Sequence, residues 1–374
     1  MQTESLTVAV TGLNATDNPG PGVPVLRALR DGAREVVPLT LVGLAYDSLD
    51  PGCYLSDVAE HVYLMPYPSQ GAEVLYQRLL DVHRRTPIDV LIPTLDAELP
   101  AYLKIADRLA ALGIHTCLPT EAQLQARSKA QLADLCAAAG VATPRTTTLL
   151  TAREIADLDL EYPVMVKGQF YDAYMAYSPA EVTGHFNRIA AKWGVPVVVQ
   201  EYVAGQEFDV AAVGDGEGGL LGAVPMRKMQ LTDKGKAWGG MTIADAELDT
   251  FVAEVMATLK WRGPCELEIL RSGEDGTLHL IEINPRCPAW IYLSAGANRN
   301  LPWLVVQMAL GLSPAPLPPA PPGVMFLRYS MDQICALPDY AAMTTYGELH
   351  RGPLSRADAP DLPTPPTPGD HLRN

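Results

Sequence analysis

Apolar positions in the first 115 residues fall into short runs separated by amphipathic stretches. Residues 6–10, 36–42, 62–65 and 88–93 are apolar runs of strand length, and residues 23–30, 71–85 and 100–112 carry apolar positions at helical spacing. Strand and helix alternating in this way predict a parallel sheet with helices on its faces. Two further helices are expected over residues 120–139. The second opens near Ser128 and closes at Gly140, a residue that tolerates the left-handed conformation in which helices commonly end.

The pattern changes after the extended segment 141–144. Residues 164–167 and 196–202 read as strands separated by a helix over 179–193, with a hairpin turn at Tyr171-Asp172. This is the signature of a small α+β lobe. From Asp209 onward the chain is strand-rich: 210–213, 220–226, 265–270 and 278–283 predict antiparallel strands. A helix over 246–260 interrupts them, and Gly273-Glu274-Asp275-Gly276 turns the last two. A helix at 302–310, a proline-dense extended run at 314–322 and a strand at 324–329 follow. The expected division is an α/β domain over 1–119, a helical linker over 120–144, a small central lobe over 145–208 and an antiparallel C-terminal lobe over 209–330. Residues 331–374 are left as an extension with a proline-rich, disordered end.

Length and composition suit this picture: 374 residues, 48% hydrophobic and 19% charged, are enough for several lobes with proper cores. A formal net charge of -15 argues against a nucleic-acid surface, which needs clustered Lys and Arg. The six cysteines, at 53, 117, 136, 265, 287 and 335, form no CxxC pair and no zinc-type cluster, so reduced thiols in a cytoplasmic protein are expected. No apolar run approaches the ~18 residues of a membrane span.

The strongest chemical signal is Leu280-Ile281-Glu282-Ile283-Asn284-Pro285-Arg286. Strand alternation puts Glu282 and Asn284 on one face, where a carboxylate and an amide oxygen suit Mg²⁺. Arg286 adds a cation where an anionic intermediate would need one. On Cys265-Glu266-Leu267-Glu268-Ile269, Glu268 is placed to face Glu282 across the ladder, while Glu266 reads as an ordinary solvent-facing acid. Residues 226–240, with Arg227, Lys228, Lys234 and Lys236 and ending in Gly239-Gly240, read as a mobile cationic loop able to close on phosphates. Thr11 to Gly22 follows a first strand and precedes a helix but lacks GxGxxG, so it is weak evidence for a dinucleotide site. Cys287 has no histidine paired with it in sequence. Pro288-Ala289-Trp290 is expected to shape the pocket beyond the phosphates.

Across residues 5–312 the chain resembles the ATP-grasp superfamily, in particular its carbamoyl-phosphate-synthetase-like branch. Gln200-Glu201-Tyr202-Val203-Ala204-Gly205-Gln206-Glu207 is similar to the family's nucleotide hinge. The resemblance implies that backbone groups near Glu201 and Val203 read adenine and that Glu207 accepts from ribose. It implies phosphate contacts for Lys167 and a nucleotide contact for Lys129. Metal ligation would fall to Glu268, Glu282 and Asn284, and stabilisation of the acyl phosphate to Arg286; the catalytic roles expected of Lys228 and Lys236 come from the cationic loop itself, not from the resemblance. One departure stands out. The family's Gly/Ser-rich phosphate loop is replaced by Gly168-Gln169-Phe170-Tyr171-Asp172-Ala173-Tyr174, so residues 226–240 are the expected substitute. The loop Thr11 to Gly22, with Asp96 and Glu98, is assigned to substrate.

The implied fold is ATP-grasp, α/β and α+β. The implied reaction activates a carboxylate with Mg-ATP, Mn²⁺ being an acceptable substitute, as an acyl phosphate that an amine then attacks. The partners are small-molecule or peptide carboxylates and amines, with no nucleic acid and no membrane, and a homodimer is compatible. Bicarbonate-dependent carboxyphosphate chemistry and a catalytically weak ATP sensor are the alternatives.

Overall fold

The computed structural model describes residues 5–16, 18–32, 37–129, 131–168, 172–231 and 237–352. Strands Leu6–Thr11, Leu39–Ala45, His61–Leu64 and Val90–Ile92 form a parallel sheet in which Leu6–Thr11 lies between Leu39–Ala45 and Val90–Ile92. Helices Gly22–Gly32, Ala72–Arg85 and Leu99–Ala110 cover it. The chain leaves the first strand toward one side and later returns on the other. The carboxyl ends of Leu6–Thr11 and Val90–Ile92 therefore lie where the strand order reverses, the position at which open α/β sheets commonly bind ligands.

Four donors converge there on Glu98, which is completely buried. Its carboxylate accepts from the hydroxyls of Thr11 and Tyr46, and from the backbone N–H groups of Thr94 and Leu95 at 2.6 and 2.8 Å. This corrects the assignment of Glu98 to substrate: its oxygens are spent tying the two loops together. Burial holds this carboxyl above the usual carboxylate range, against the pull of the Thr11 and Tyr46 hydroxyls.

The linker helices are Glu121–Ala126 and Leu132–Ala139, the second beginning later than Ser128 and ending at Gly140 with φ 69°. The central lobe is a four-stranded sheet ordered Thr146–Leu149, Val197–Glu201, Val164–Lys167, Ala173–Ala176, under helix Pro179–Trp193. It has its own core of Leu149, Val164, Val166, Phe186, Ile189 and Val199. Strand Thr146–Leu149 escaped the sequence reading because it is a largely polar, half-exposed edge strand without apolar alternation.

The C-terminal lobe is one six-stranded antiparallel sheet, ordered Leu278–Asn284, Arg262–Ser272, Gly205–Asp215, Leu220–Leu231, Ala237–Thr242, Met325–Leu327. Here the expectation of a mobile loop over 226–240 is corrected. Residues up to Leu231 and from Ala237 onward are the arms of a hairpin, with Arg227 opposite Met241 and Lys228 opposite Gly240. Lys234 and Lys236 lie outside the described residues. One face of this sheet packs on helix Ala246–Leu259; Ala211, Val213, Val224 and Met226 share a core with Val8, Val10 and Ile92 of the N-terminal sheet. The outer lobes are thus fused through apolar packing, whereas the central lobe is built separately.

The extension contains regular structure that the sequence reading did not assign. Helix Leu337–Tyr346 and strand Glu348–His350 fold back, and the strand pairs antiparallel with His61–Leu64. Arg351 then donates to the carbonyls of Cys53, Leu55 and Ala59 at 2.6, 3.4 and 3.3 Å. The expected proline-rich, disordered end lies outside the described residues, which stop at residue 352. All six cysteines are free, and Cys335 alone of them is exposed.

Candidate active site

The site grows from two strands whose apolar residues have only one place to go. Leu267, Ile269 and Ile283 are buried against Leu248, Phe251, Val252 and Val255 of helix Ala246–Leu259. The intervening residues must therefore face the other way. The register sets Glu266 opposite Asn284 and Glu268 opposite Glu282, and directly opposed residues share a face. A register shift follows at once, between Glu268 and Ile269. Such bulges commonly re-aim side chains beside active sites.

Hydrogen bonds organise this face. The Asn284 side-chain N–H₂ donates to Glu266 Oε2 at 3.1 Å and to Glu268 Oε1 at 3.0 Å, leaving its Oδ1 as the amide's acceptor. Arg286 donates from Nε to Asp96 Oδ1 at 2.9 Å and from Nη1 to Glu266 Oε2 at 3.3 Å. Trp290 Nε1 donates to Glu266 Oε1 at 2.7 Å. Glu266, expected to face solvent, is instead buried beneath the site; it missed recognition although its even spacing from Glu268 was the available signal. Burial lowers the Arg286 guanidinium's proton affinity, but Asp96 and Glu266 outweigh this and hold it above its usual value.

Two lysines approach from the linker and central lobe. Lys167 ends its strand and donates to Gln200 Oε1 at 2.6 Å. Lys129 donates to the Gly168 carbonyl at 3.2 Å, and its Nζ is 4.0 Å from Glu282 Oε1. Desolvation and the neighbouring charge of Lys129 lower the Lys167 ammonium's pKa, against Glu282, Glu268 and Glu207. Glu282 is held above the usual carboxylate range by burial, with Lys129 the largest opposing influence. These residues therefore share one field: two cations face two carboxylates and an amide oxygen.

Lys228 sits on the strand, not on a mobile segment. Its side chain is 8% exposed, with Nζ 3.1 Å from both Glu207 Oε2 and Asp209 Oδ1. Burial alone would lower its pKa, yet Asp209, Glu268 and Glu207 raise it. Asp209 itself is pushed well up by burial, against the attraction of Lys228. Glu207, expected to be free for ribose, is thus shared with Lys228.

At the hinge, Glu201 is turned aside. Its Oε2 accepts from the Arg145 backbone N–H at 3.0 Å. The Val203 N–H has no hydrogen-bond partner among the described residues. Here the chain needs Gly205, since a Cβ would meet the Arg271 carbonyl oxygen at 2.0 Å. A cavity of about 830 Å³ opens beside this turn, lined by Pro163, Glu201, Val203, Ser272 and His279 among others.

Two arginines also escaped the sequence reading. Arg328 Nη1 is buried with no partner among the described residues, and burial lowers this guanidinium's pKa against the charge of Glu266. A lone cation ending the apolar run Val324-Met325-Phe326-Leu327 was its only sequence signal. Arg127 donates to the Ile283 carbonyl at 3.1 Å beside Asp96 and Glu282, and nothing in its local sequence marked it. Among the described residues no three Asp, Glu, His or Cys side chains gather to hold a metal. The available oxygen set is Glu268, Glu282 and the Asn284 amide, which fits Mg²⁺ because that ion takes few protein ligands when phosphates supply others.

Comparison with known proteins agrees with this architecture. A family model described as ATP-grasp in the biosynthetic pathway with Ter operon matches residues 194–330. The carbamoyl phosphate synthase large chain of Mycobacterium bovis is 24% identical over 275 residues, covering 69% of this chain and 24% of that protein. This chain therefore spans about a quarter of that relative's length. Among solved structures, an L-amino acid ligase from Bacillus licheniformis superposes with TM-score 0.59 at 18% identity, covering 82% of this chain and 74% of that one. The biotin carboxylase domain of Hydrogenobacter thermophilus 2-oxoglutarate carboxylase, a dimer solved with MgADP and bicarbonate, gives 0.63 at 15% identity over 83% and 71%. A Staphylococcus aureus N5-carboxyaminoimidazole synthetase solved with ADP gives 0.60 at 14% identity over 84% and 80%. With the lobes, the hinge and the paired acidic strands in place, the chain has the ATP-grasp fold, and its residues 194–330 match an ATP-grasp family model.

Proposed function

We propose that the protein is an ATP-dependent carboxylate–amine ligase. The carrying observation is the convergence of Glu268, Glu282 and Asn284, on adjacent strands, with Lys129 from the linker and Lys167 from the central lobe. A carboxylate attacking ATP is an anion approaching a polyanion, so cations must screen the repulsion. Mg²⁺, or Mn²⁺ in its place, would be held by Glu268, Glu282 and Asn284 and would supply that screening at the phosphates. Lys167 and Lys129 hold the phosphates, and the free Val203 N–H with the Glu201 carbonyl reads the base. Glu207 reaches ribose from its pairing with Lys228. Arg286 and Arg328 receive the substrate carboxylate and stabilise its acyl phosphate; the unpartnered Nη1 of Arg328 supports that role. Lys228 acts by fixing Glu207 and Asp209, and Lys236 remains a phosphate contact proposed from sequence. The likeness to the L-amino acid ligase favours amino acids or short peptides as substrates. The resemblance to a dimeric carboxylase domain is compatible with a homodimer.

The test is phosphate release from Mg-ATP across a library of carboxylates and amines, with products read by mass. Wild type should release phosphate only with both substrates present. Glu282→Ala should lower turnover by about 10²–10³-fold, the scale of losing one electrostatic stabiliser of the transition state, without loss of fold. Full turnover in a folded Glu282→Ala variant would overturn the assignment. Bicarbonate alone driving ATP hydrolysis would replace it with carboxyphosphate chemistry.

A further inference from the structure

Glu266 is the acidic residue of this face that nothing above assigns to ATP, metal or substrate. Its side chain is 8% exposed, and both oxygens are occupied. Oε1 accepts from Trp290 Nε1 at 2.7 Å; Oε2 accepts from Asn284 Nδ2 at 3.1 Å and Arg286 Nη1 at 3.3 Å. A buried carboxylate whose hydrogen-bond partners are all donors is not arranged to ligate an ion or touch a substrate. Its partners, in contrast, are two of the residues that the ligase reading needs.

We infer that Glu266 is a positioning residue that sets the Asn284 amide and the Arg286 guanidinium for the metal and the acyl phosphate; the inference rests on the ligase reading. An asparagine amide can turn by half a rotation, exchanging its oxygen for its nitrogen at little steric cost. Here both amide hydrogens are held, one by Glu266 and one by Glu268, so the turned state would set the amide oxygen against two carboxylates. Glu266 thereby keeps Oδ1 as the outward acceptor. The same Oε2 draws Arg286 Nη1 inward while Asp96 holds Nε, so the guanidinium is fixed from two lobes. The strand register makes this possible, because Glu266 and Asn284 are directly opposed. Outer-shell partners of this kind orient ligands that they never replace.

Glu266→Gln separates positioning from folding. The amide keeps the shape but has a single acceptor oxygen for the three donors and adds hydrogens of its own. Mn²⁺ binding with ADP present, read by electron paramagnetic resonance, should weaken by about 10–100-fold, the usual cost of losing an outer-shell partner. Turnover should fall while the KM for ATP changes little, and Glu266→Asp should recover part of both losses. Unchanged Mn²⁺ affinity and turnover in folded Glu266→Gln would overturn the positioning role and leave the ligase reading intact. Wild type failing to bind Mn²⁺ with nucleotide would overturn both, so the two failures are told apart by the wild-type measurement.

Discussion

At the scale of single residues, the site is governed by how burial and neighbouring charges oppose each other. Glu282 must be ionised to hold a metal, and metal affinity falls when its ligands protonate. Burial raises its proton affinity and Lys129 lowers it, so the net position lies above the usual carboxylate range. As pH falls, metal-dependent turnover should therefore be lost earlier than an ordinary glutamate would dictate. Removing Lys129 takes away the largest opposing influence and raises the Glu282 pKa further. Lys129→Ala should accordingly move the acid limb of kcat at saturating ATP to higher pH, while Lys129→Arg should leave it nearly in place. A limb that stays put in Lys129→Ala would show that Glu282 does not control it. That Glu282, Asn284 and Glu268 share one face of the sheet was legible because period-2 alternation needs no tertiary information. Glu266 had the same signal, but its burial depends on Trp290 and Arg286, distant groups that alternation does not place.

At the scale of elements, the hairpin from Leu220–Leu231 to Ala237–Thr242 behaves differently from the loop its charges suggested. Four basic residues near glycines resemble a flexible lid. Yet Met226 faces the shared core and Lys228 is drawn between Glu207 and Asp209. Asp209 is 4% exposed, so truncating its partner leaves a buried carboxylate with its cation removed. Lys228→Ala should lower unfolding free energy by about 3 kcal/mol, the scale for breaking a buried ion pair from one side. Urea denaturation measures it, and adding Asp209→Ala should restore part of the loss in a double-mutant cycle. A change below about 0.5 kcal/mol, the range of ordinary surface substitutions, would return Lys228 to a solvated role.

At the scale of the whole molecule, the N-terminal and C-terminal lobes share one core, while the central lobe keeps its own. That division places Lys167 on a lobe with its own core, within the field of Glu282 and Glu268 on the fused body. The returning C-terminal strand fastens the opposite edge of the N-terminal sheet. Arg351→Ala would strip three carbonyls of their donor and should cost about 1–3 kcal/mol, since buried acceptors left unpaired carry their desolvation penalty. Amide exchange across His61–Leu64 should speed up as the added strand loosens. Unchanged exchange there would mean that the strand pairing holds without Arg351. No helix is long and apolar enough to cross a membrane among the described residues.

By itself the sequence determined the order and type of most main elements, the change from a parallel sheet to antiparallel strands, and the acidic strand pair. All of these follow from local periodicity, turn chemistry and short motifs, which are carried by neighbouring residues. Tertiary structure alone decided that Glu98 clasps two loops, that Lys228 is an anchored ion-pair partner, and that residues 337–350 complete the first sheet. It also brought Asp96 onto Arg286 across 190 positions of chain. The physical reason is common to all four. Each depends on which polar groups become buried together, and burial is a property of packed lobes rather than of any local run of residues.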